Sequence, residues 1–306
     1  MSQRGYYGRP VLKPPVWTPE VAIYFWLGGL AGISALLSFA ARLGGNQRLA
    51  RASLFTSFAA LLGCPPLLIA DLGRPERFYN MLRVLKPTSP MSVGSWVLTG
   101  FGGALGGAVL GEVLELLHPR GVLRPLGFLA HGVAALLGLP LATYTAVLVS
   151  DTSVPVWHEA RHQMPFVFAG SAAASAGAAA SALVAAEDSA PARFLAVFGS
   201  LLELASVTLM ERSLGSEARH YHEGSAALPA QAARLLTGTG AVLMVAGGRR
   251  RPIAVAASAM ILAGSLAERF AVLRAGPASA RGAIGQDTVK ARPGELGRPA
   301  RARETR

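Results

Sequence analysis

The chain has 306 residues, of which 52% are hydrophobic and 15% charged, and a formal net charge of +12. Soluble proteins carry about 25% charged residues, so this composition excludes an ordinary water-soluble domain and points to helices packed in lipid. The positive charge gathers in the loops and the C-terminal stretch, where basic residues commonly fix membrane topology, and no nucleic-acid partner is expected.

Residues 1–19 contain no short apolar core followed by a small-residue cleavage site. The first span is therefore expected to be retained, behind an N-terminal interfacial segment. A spanning helix needs about 20 mostly apolar residues. The first such run, 20–41, sets Glu20 and Tyr24 one helical turn apart on a common face. Taken alone, Tyr24 is an interfacial aromatic anchor. The second run, 52–70, contains Pro65 and Pro66 and is expected to bend there. Between it and the third lies DLGRPERFYNMLRVLKPTSPMSVGSW, residues 71–96. Within this loop RFYNMLRVL carries Phe78, Met81, Leu82 and Leu85 on one helical face and Arg77, Asn80, Arg83 and Lys86 mostly on others. That is the pattern of a short amphipathic helix lying at the interface, where it can meet lipid headgroups or a partner.

The third run, 92–117, ends near Glu112 and Glu115, and its GFGGALGGAVLG stretch suits close helix packing. The fourth, 125–150, holds His131, Pro140 and Tyr144; the proline is expected to kink the helix. Runs at 166–186, 193–210, 231–247 and 252–273 complete a count of eight. Acids inside spans are costly enough to count as functional candidates. Glu203, in the middle of the sixth run, is a candidate proton relay, and Glu268 in the eighth is expected to pair with Arg269 or Arg274. Residues 276–306 are Pro, Gly, Ala and Arg without apolar periodicity, the composition of a disordered basic tail.

The predicted fold is an all-α integral membrane protein of eight transmembrane helices over residues 20–275, in two packed four-helix bundles at about 20–150 and 163–275. An even count puts both termini on one side. The arginines concentrated in the short loops of the other side, Arg249, Arg250 and Arg251 among them, place the termini outside the cytoplasm in a multi-pass protein of the cytoplasmic (inner) membrane.

Cys64 is the only cysteine, so a Cys-ligated iron–sulfur cluster cannot be built within this chain. Three other chemistries have a sequence basis. His158-Glu159-Ala160-Arg161-His162 matches the H-E-x-x-H pattern of zinc proteases, with HYHE at 220–223 as a source of a third ligand. Against it, the motif sits between Pro155 and Pro165, so its helix is short; no metal site is expected. A b-type haem needs axial histidines paired across helices, and His131 alone lies well inside an apolar run; no haem is expected. A secondary transporter also uses proline-broken helices and intramembrane acids.

Several long runs, in order, resemble the NrfD/PsrC family of polysulfide-reductase-like membrane subunits. They are YYGRPVLKPPVW, YFWLGGLAGISALL, LGRPERFYNMLRVLKPTSPMSVGSW and YTAVLVSDTSVPVWHEARHQMPFVFAGSAAASAG. The resemblance implies a quinone-reactive anchor of a molybdoenzyme-type respiratory complex with a quinone, menaquinone or ubiquinone, bound in the N-terminal bundle. It further implies a ferredoxin-like [4Fe–4S] electron-transfer partner and a molybdopterin-type catalytic subunit. On the same basis Tyr144 stands where the family's quinone-bonding tyrosine lies. Glu20 and Tyr24 stand where the family has a polar Asn and His pair, which is a departure from its pattern. His131, Asp71 and Arg74 are further candidates around the quinone, Glu203 for proton movement, and Arg77, Arg83 and Lys86 for docking the iron–sulfur partner.

Overall fold

The computed structural model describes residue 15 and residues 17–72, 74–117 and 124–290. The N-terminal interfacial segment expected at 1–19 lies almost wholly outside the described residues. Among the described residues every regular element is helical. Eight helices have 20 or more residues: α1 (Pro19–Leu43), α2 (Gln47–Ala70), α3 (Pro90–Leu117), α4 (Arg124–Ser150), α6 (Met164–Leu183), α7 (Ala190–Leu214), α9 (Gly224–Gly247) and α10 (Arg251–Lys290). Two short helices, α5 (Pro155–Glu159) and α8 (Arg219–His222), sit in connections.

Seven of the long helices are long and apolar enough to cross a membrane; α9, with Gln231 and Arg234 in its first half, is the exception. The protein is a multi-pass membrane protein. Its helices show why the low charge content is stable only in lipid. Leu110, Leu136, Phe194, Leu201, Leu235 and Val245 point outward and are more than half exposed, and in hydrocarbon such side chains carry no hydrophobic penalty.

Burial is uneven. Of the apolar window of α1, 78% is buried, and of that of α6, 72%, against 28% for α3. These two helices are the interior. α1 packs on α2, α4 and α6, and α6 packs on α7 and α10, while α3 leans on α4 and α9 on α10. The composition of α6, MPFVFAGSAAASAGAAASAL, accounts for its position. With so few long side chains, neighbouring backbones come into van der Waals contact, which is how helices associate where water supplies no driving force.

At the end of the bundle opposite the start of α1, charges are paired rather than free. Glu112 accepts from Arg42 and from Arg51, both at 2.6 Å, and Glu115 accepts from Arg42 at 2.5 Å and Arg124 at 3.2 Å. The acids expected from the sequence as functional candidates late in the third span are thus tied into an ion-pair network. On the same face Asn46 accepts from the Leu49 backbone N–H and donates to the Asp188 carbonyl, latching the α1–α2 turn to the α6–α7 turn.

Three sequence expectations change. The H-E-x-x-H stretch does not form one helix: α5 stops at Glu159 and a 3₁₀ turn covers Ala160–His162. Of this stretch Ala160 is the buried residue, with Trp157 buried just before it, while His158 and His162 are exposed. The disordered tail expected from 276 is instead helical as far as Lys290, because α10 runs unbroken to that residue with Pro277 inside it. Small residues there pack as well as apolar ones: Ser279 and Ala280 are buried, and the Ser279 hydroxyl accepts from the Val156 backbone N–H at 3.2 Å. Residues 291–306 lie outside the described residues. Finally, the segment expected as an amphipathic helix is a 3₁₀ helix, Pro75–Leu82.

Candidate functional site

The site forms where the first turns of α1 meet the last turns of α4. Thr18 precedes α1, and its hydroxyl and backbone N–H both donate to Asp71 Oδ1, at 2.8 and 3.3 Å. Asp71 therefore ties the end of α2 to the start of α1, an anion at a helix N-terminus where the exposed N–H groups favour one. One turn into α1, Tyr24 is buried and its hydroxyl is hydrogen-bonded to the hydroxyl of Tyr144 from α4. Two phenolic hydroxyls in contact share one hydrogen between them, so one O–H stays free to donate to a third acceptor.

Gly94 on α3 makes room for this pair. A Cβ there would run into the Tyr144 ring, with Cδ2 and Cζ at 2.7 and 2.8 Å. The Cδ2–Cε2–Cζ edge of the ring lies against Gly94, and no larger residue fits without moving it.

Around the two tyrosines lies a chamber of about 50 Å³, walled by Trp17, Phe25, Leu68, Met81 and Ser95 among others. Trp17 stacks on Trp157, ring centroids 5.1 Å apart and planes 19° from parallel. The Trp157 indole N–H in turn donates to the Val272 carbonyl at 2.8 Å. Leu68, Met81 and Ser95 also belong to a larger cleft of about 480 Å³ between α2 and α3, roofed by Phe78, Met81 and Leu82 of the 3₁₀ helix. Pro65 and Pro66 line it. Lacking N–H groups, they release the carbonyls of Leu61 and Leu62 from the helix ladder, and they fall where α2 stands off from α3. On its other side Tyr144 borders an outer cleft of about 320 Å³ with Pro87, Pro90, Val147 and Asp151. Ligand-binding pockets run about 300–1,000 Å³. The chamber alone is too small for a ligand, and the two clefts that meet at it are large enough.

The arrangement can hold a flat, mostly apolar molecule whose polar atoms reach the tyrosine hydroxyls and whose apolar extension lies between α2 and α3, open to lipid. It brings together Tyr24, Tyr144 and Asp71. Glu20 is half-buried in the first turn of α1, one turn from Tyr24, and its Oε2 finds no hydrogen-bond partner among the described residues. Arg74, Arg77, Arg83 and Lys86 are all exposed on this end of the molecule. Two candidates lie elsewhere. His131 is 13 residues from Tyr144 on α4, roughly 20 Å along the axis, and packs edge-on to Phe39 near the ion-pair network. Glu203 is buried in α7, outside the chamber.

Four contributors escape a reading of the sequence alone: Trp17, Met81, Ser95 and Asp151. Asp151 had a signal, being seven residues, or two helical turns, beyond Tyr144 on one face. The other three are ordinary residue types whose role depends on where the chain returns.

Compared with known families, residues 11–279 match the model described as polysulphide reductase, NrfD. This chain belongs to the NrfD family. No curated protein matches it. NrfD proteins are quinone-interacting membrane subunits of molybdoenzyme complexes, and they typically partner with iron–sulfur and molybdopterin subunits. NrfD membership sets this chain apart from the transporter and zinc-protease alternatives.

Proposed function

We propose that this NrfD protein is the quinone-reactive membrane anchor of a molybdoenzyme-type respiratory complex, exchanging electrons between a ferredoxin-like [4Fe–4S] partner and the membrane quinone pool. The observation that carries this reading is the Tyr24–Tyr144 hydroxyl pair at the junction of two ligand-sized clefts, one of them apolar and lipid-facing. On this reading all eight long helices span the membrane as two four-helix bundles, α1–α4 and α6–α10. Both termini lie on the tyrosine side, outside the cytoplasm.

A menaquinone or ubiquinone supplies two-electron, two-proton redox chemistry when bound. The chain's part is to bind, orient and move protons. The free O–H of the Tyr24–Tyr144 pair donates to a ring carbonyl, a bond worth about 1 kcal/mol net in a neutral pair. The α2–α3 cleft takes the isoprenoid tail. Glu20 and Asp151 stand on the water side of the two tyrosines and serve as proton carriers, with Asp71 holding the entrance in shape. Glu203 is assigned a relay part in the second bundle. The exposed Arg77, Arg83 and Lys86 form the docking face for the iron–sulfur partner.

The test is quinone-linked turnover in the intact complex. Tyr144→Phe and Glu20→Gln are each expected to lower it by about tenfold or more, since one lost hydrogen bond of about 1.4 kcal/mol in the transition state is a factor of ten. Unchanged turnover in both variants sinks the assignment.

A further inference from the structure

The second half of the fold buries three ionisable side chains that the quinone reading leaves largely unused. Glu203 of α7 is 1% exposed, and Glu268 and Arg269 of α10 are 4% and 1% exposed. No ion pair within 4.0 Å joins them among the described residues. Arg269 instead donates to the Phe168 carbonyl at 3.0 Å and lies 3.6 Å above the Phe168 ring centroid. Its Nε and Nη1, with Glu268 Oε1, find no hydrogen-bond partner among the described residues.

Backbone packing fixes this placement. Gly170 of α6 sits directly against the backbone of Glu203, where a Cβ would come within 2.9 Å of Glu203 Cα. Ser265 and Arg269 are one turn apart on α10, so both reach the seam between α6 and α7. The Ser265 hydroxyl lies 3.3 Å from Glu203 Oε2 and 3.3 Å from the Ser171 carbonyl. A carbonyl only accepts, and a hydroxyl has one hydrogen. When that hydrogen points to Ser171, the bond to Glu203 forms only if Glu203 carries a proton and donates it.

Charge balance leads to the same place. Two carboxylates and one guanidinium leave a net negative charge deep in a low-dielectric interior, where an unpaired ion is neutralised rather than kept. Taking up one proton restores neutrality. A polar route reaches the pair from the tyrosine end. Tyr221 of α8 is buried with its hydroxyl free of partners among the described residues. Beyond it Glu211 of α7 pairs with Arg234 of α9 and lies 3.7 Å from His222. The 3₁₀ turn before α8 adds Glu217, 3.4 Å from His220. From α6 and α1 only uncharged groups face the cluster, among them Ser171, Phe168 and Gly29.

We propose that Glu203, Glu268 and Arg269 form a proton-binding site in the second half of the fold, loaded from water past Tyr221 and holding one exchangeable proton against a single guanidinium. Water at the Glu211–His222 end donates the proton to a carboxylate, and release returns it there. The site adjoins the quinone chamber through aromatic contacts: Phe168 lies 6.1 Å from Phe25, and Phe25 lies 5.9 Å from Tyr24. This deepens the relay part given to Glu203, and rests on the quinone reading only for what drives the proton.

Infrared spectroscopy of the full-length chain in lipid nanodiscs tests it without quinone. At about pH 7 exposed carboxyls are ionised, so the C=O stretch of a neutral carboxylic acid reports buried ones. Wild type is expected to show one neutral carboxyl per chain. Glu203→Gln and Glu268→Gln are each expected to lose the band entirely, because the remaining carboxylate is balanced by Arg269. Arg269→Gln is expected to double it. A wild-type chain without the band, a band surviving in both glutamine variants, or loss in only one of them overturns the shared site. If Arg269→Gln does not fold, the two glutamine variants still decide. Failure here leaves the quinone reading standing, and Tyr144→Phe, which tests that reading, is expected to leave the band unchanged.

Discussion

Gly94→Ala perturbs the site through a single methyl group. The added Cβ would lie 2.7 and 2.8 Å from Cδ2 and Cζ of Tyr144, and closer still to Cε2. Carbon pairs settle at about 3.5–4.0 Å, so the nearest ring atom has to retreat by about 1.5 Å. Two stability terms oppose each other. Alanine favours a helix over glycine by about 0.5–1 kcal/mol, and overpacking costs about 1–3 kcal/mol, leaving a net loss of at most about 2.5 kcal/mol and a folded protein. The functional effect is larger. Displacing a positioned group by 1 Å costs on the order of a hundredfold in rate, and a lost hydrogen bond of about 1.4 kcal/mol costs tenfold in affinity. Binding of a short-chain naphthoquinone to the detergent-solubilised chain, followed by quenching of tryptophan fluorescence with Trp17 in the chamber wall, is expected to weaken by about ten- to a hundredfold. Gly106→Ala on the same helix meets nothing within 4 Å and serves as the control. Equal affinity in the wild type and Gly94→Ala would refute the placement of the ligand against Tyr144.

Three further outcomes follow from the same geometry. Reversing charge at Arg77 and Arg83 together is expected to abolish co-purification of the iron–sulfur partner while leaving naphthoquinone affinity intact; retained co-purification moves the docking face elsewhere. Glu112→Gln leaves Arg42 and Arg51 without their buried carboxylate, Arg42 keeping Glu115, and the thermal transition of the solubilised chain is expected to report a loss of about 3 kcal/mol. Arg124→Ala, at a residue 63% exposed, is expected to cost under about 1 kcal/mol, and equal effects from the two variants would contradict the burial argument. Trp157→Phe removes the indole N–H that the Val272 carbonyl accepts, at about 0.5–1.5 kcal/mol, and gives Trp17 a smaller, unanchored ring to stack on, so naphthoquinone affinity is expected to fall as well; unchanged affinity would show that the stack does not brace the chamber.

The long helices were legible because each is a continuous apolar run bounded by proline, glycine or charge. The Tyr24–Tyr144 meeting was not legible from periodicity, since 120 residues separate the two; the resemblance of the flanking runs brought them to one site. Acids defeated local reading most clearly. Glu268 looked paired with its neighbour Arg269, yet adjacent residues on a helix diverge by about 100° and do not face each other, and Arg269 turns to Phe168 instead. Glu203 had no visible companion, because Glu268 arrives from a helix three elements later. The tail was misjudged for a different reason. Small residues without periodicity signal disorder in water, but in a helix bundle they signal backbone contact, and Ser279 and Ala280 are buried by it.

The Trp17–Trp157 stack bears on how the protein is made. Trp17 precedes the first helix, Trp157 lies at mid-chain, and the carbonyl that fixes Trp157 belongs to Val272 in the last helix. Synthesis runs from one end, so α1 to α4 enter the membrane long before α10 exists, and the wall of the chamber stays unbraced until then. A ribosome-stalled or truncated chain ending before Val272 would carry both tyrosines and still lack a rigid binding site. Completion of α10 thus braces the entry of α1, and the chamber wall becomes rigid only once the whole bundle is in place.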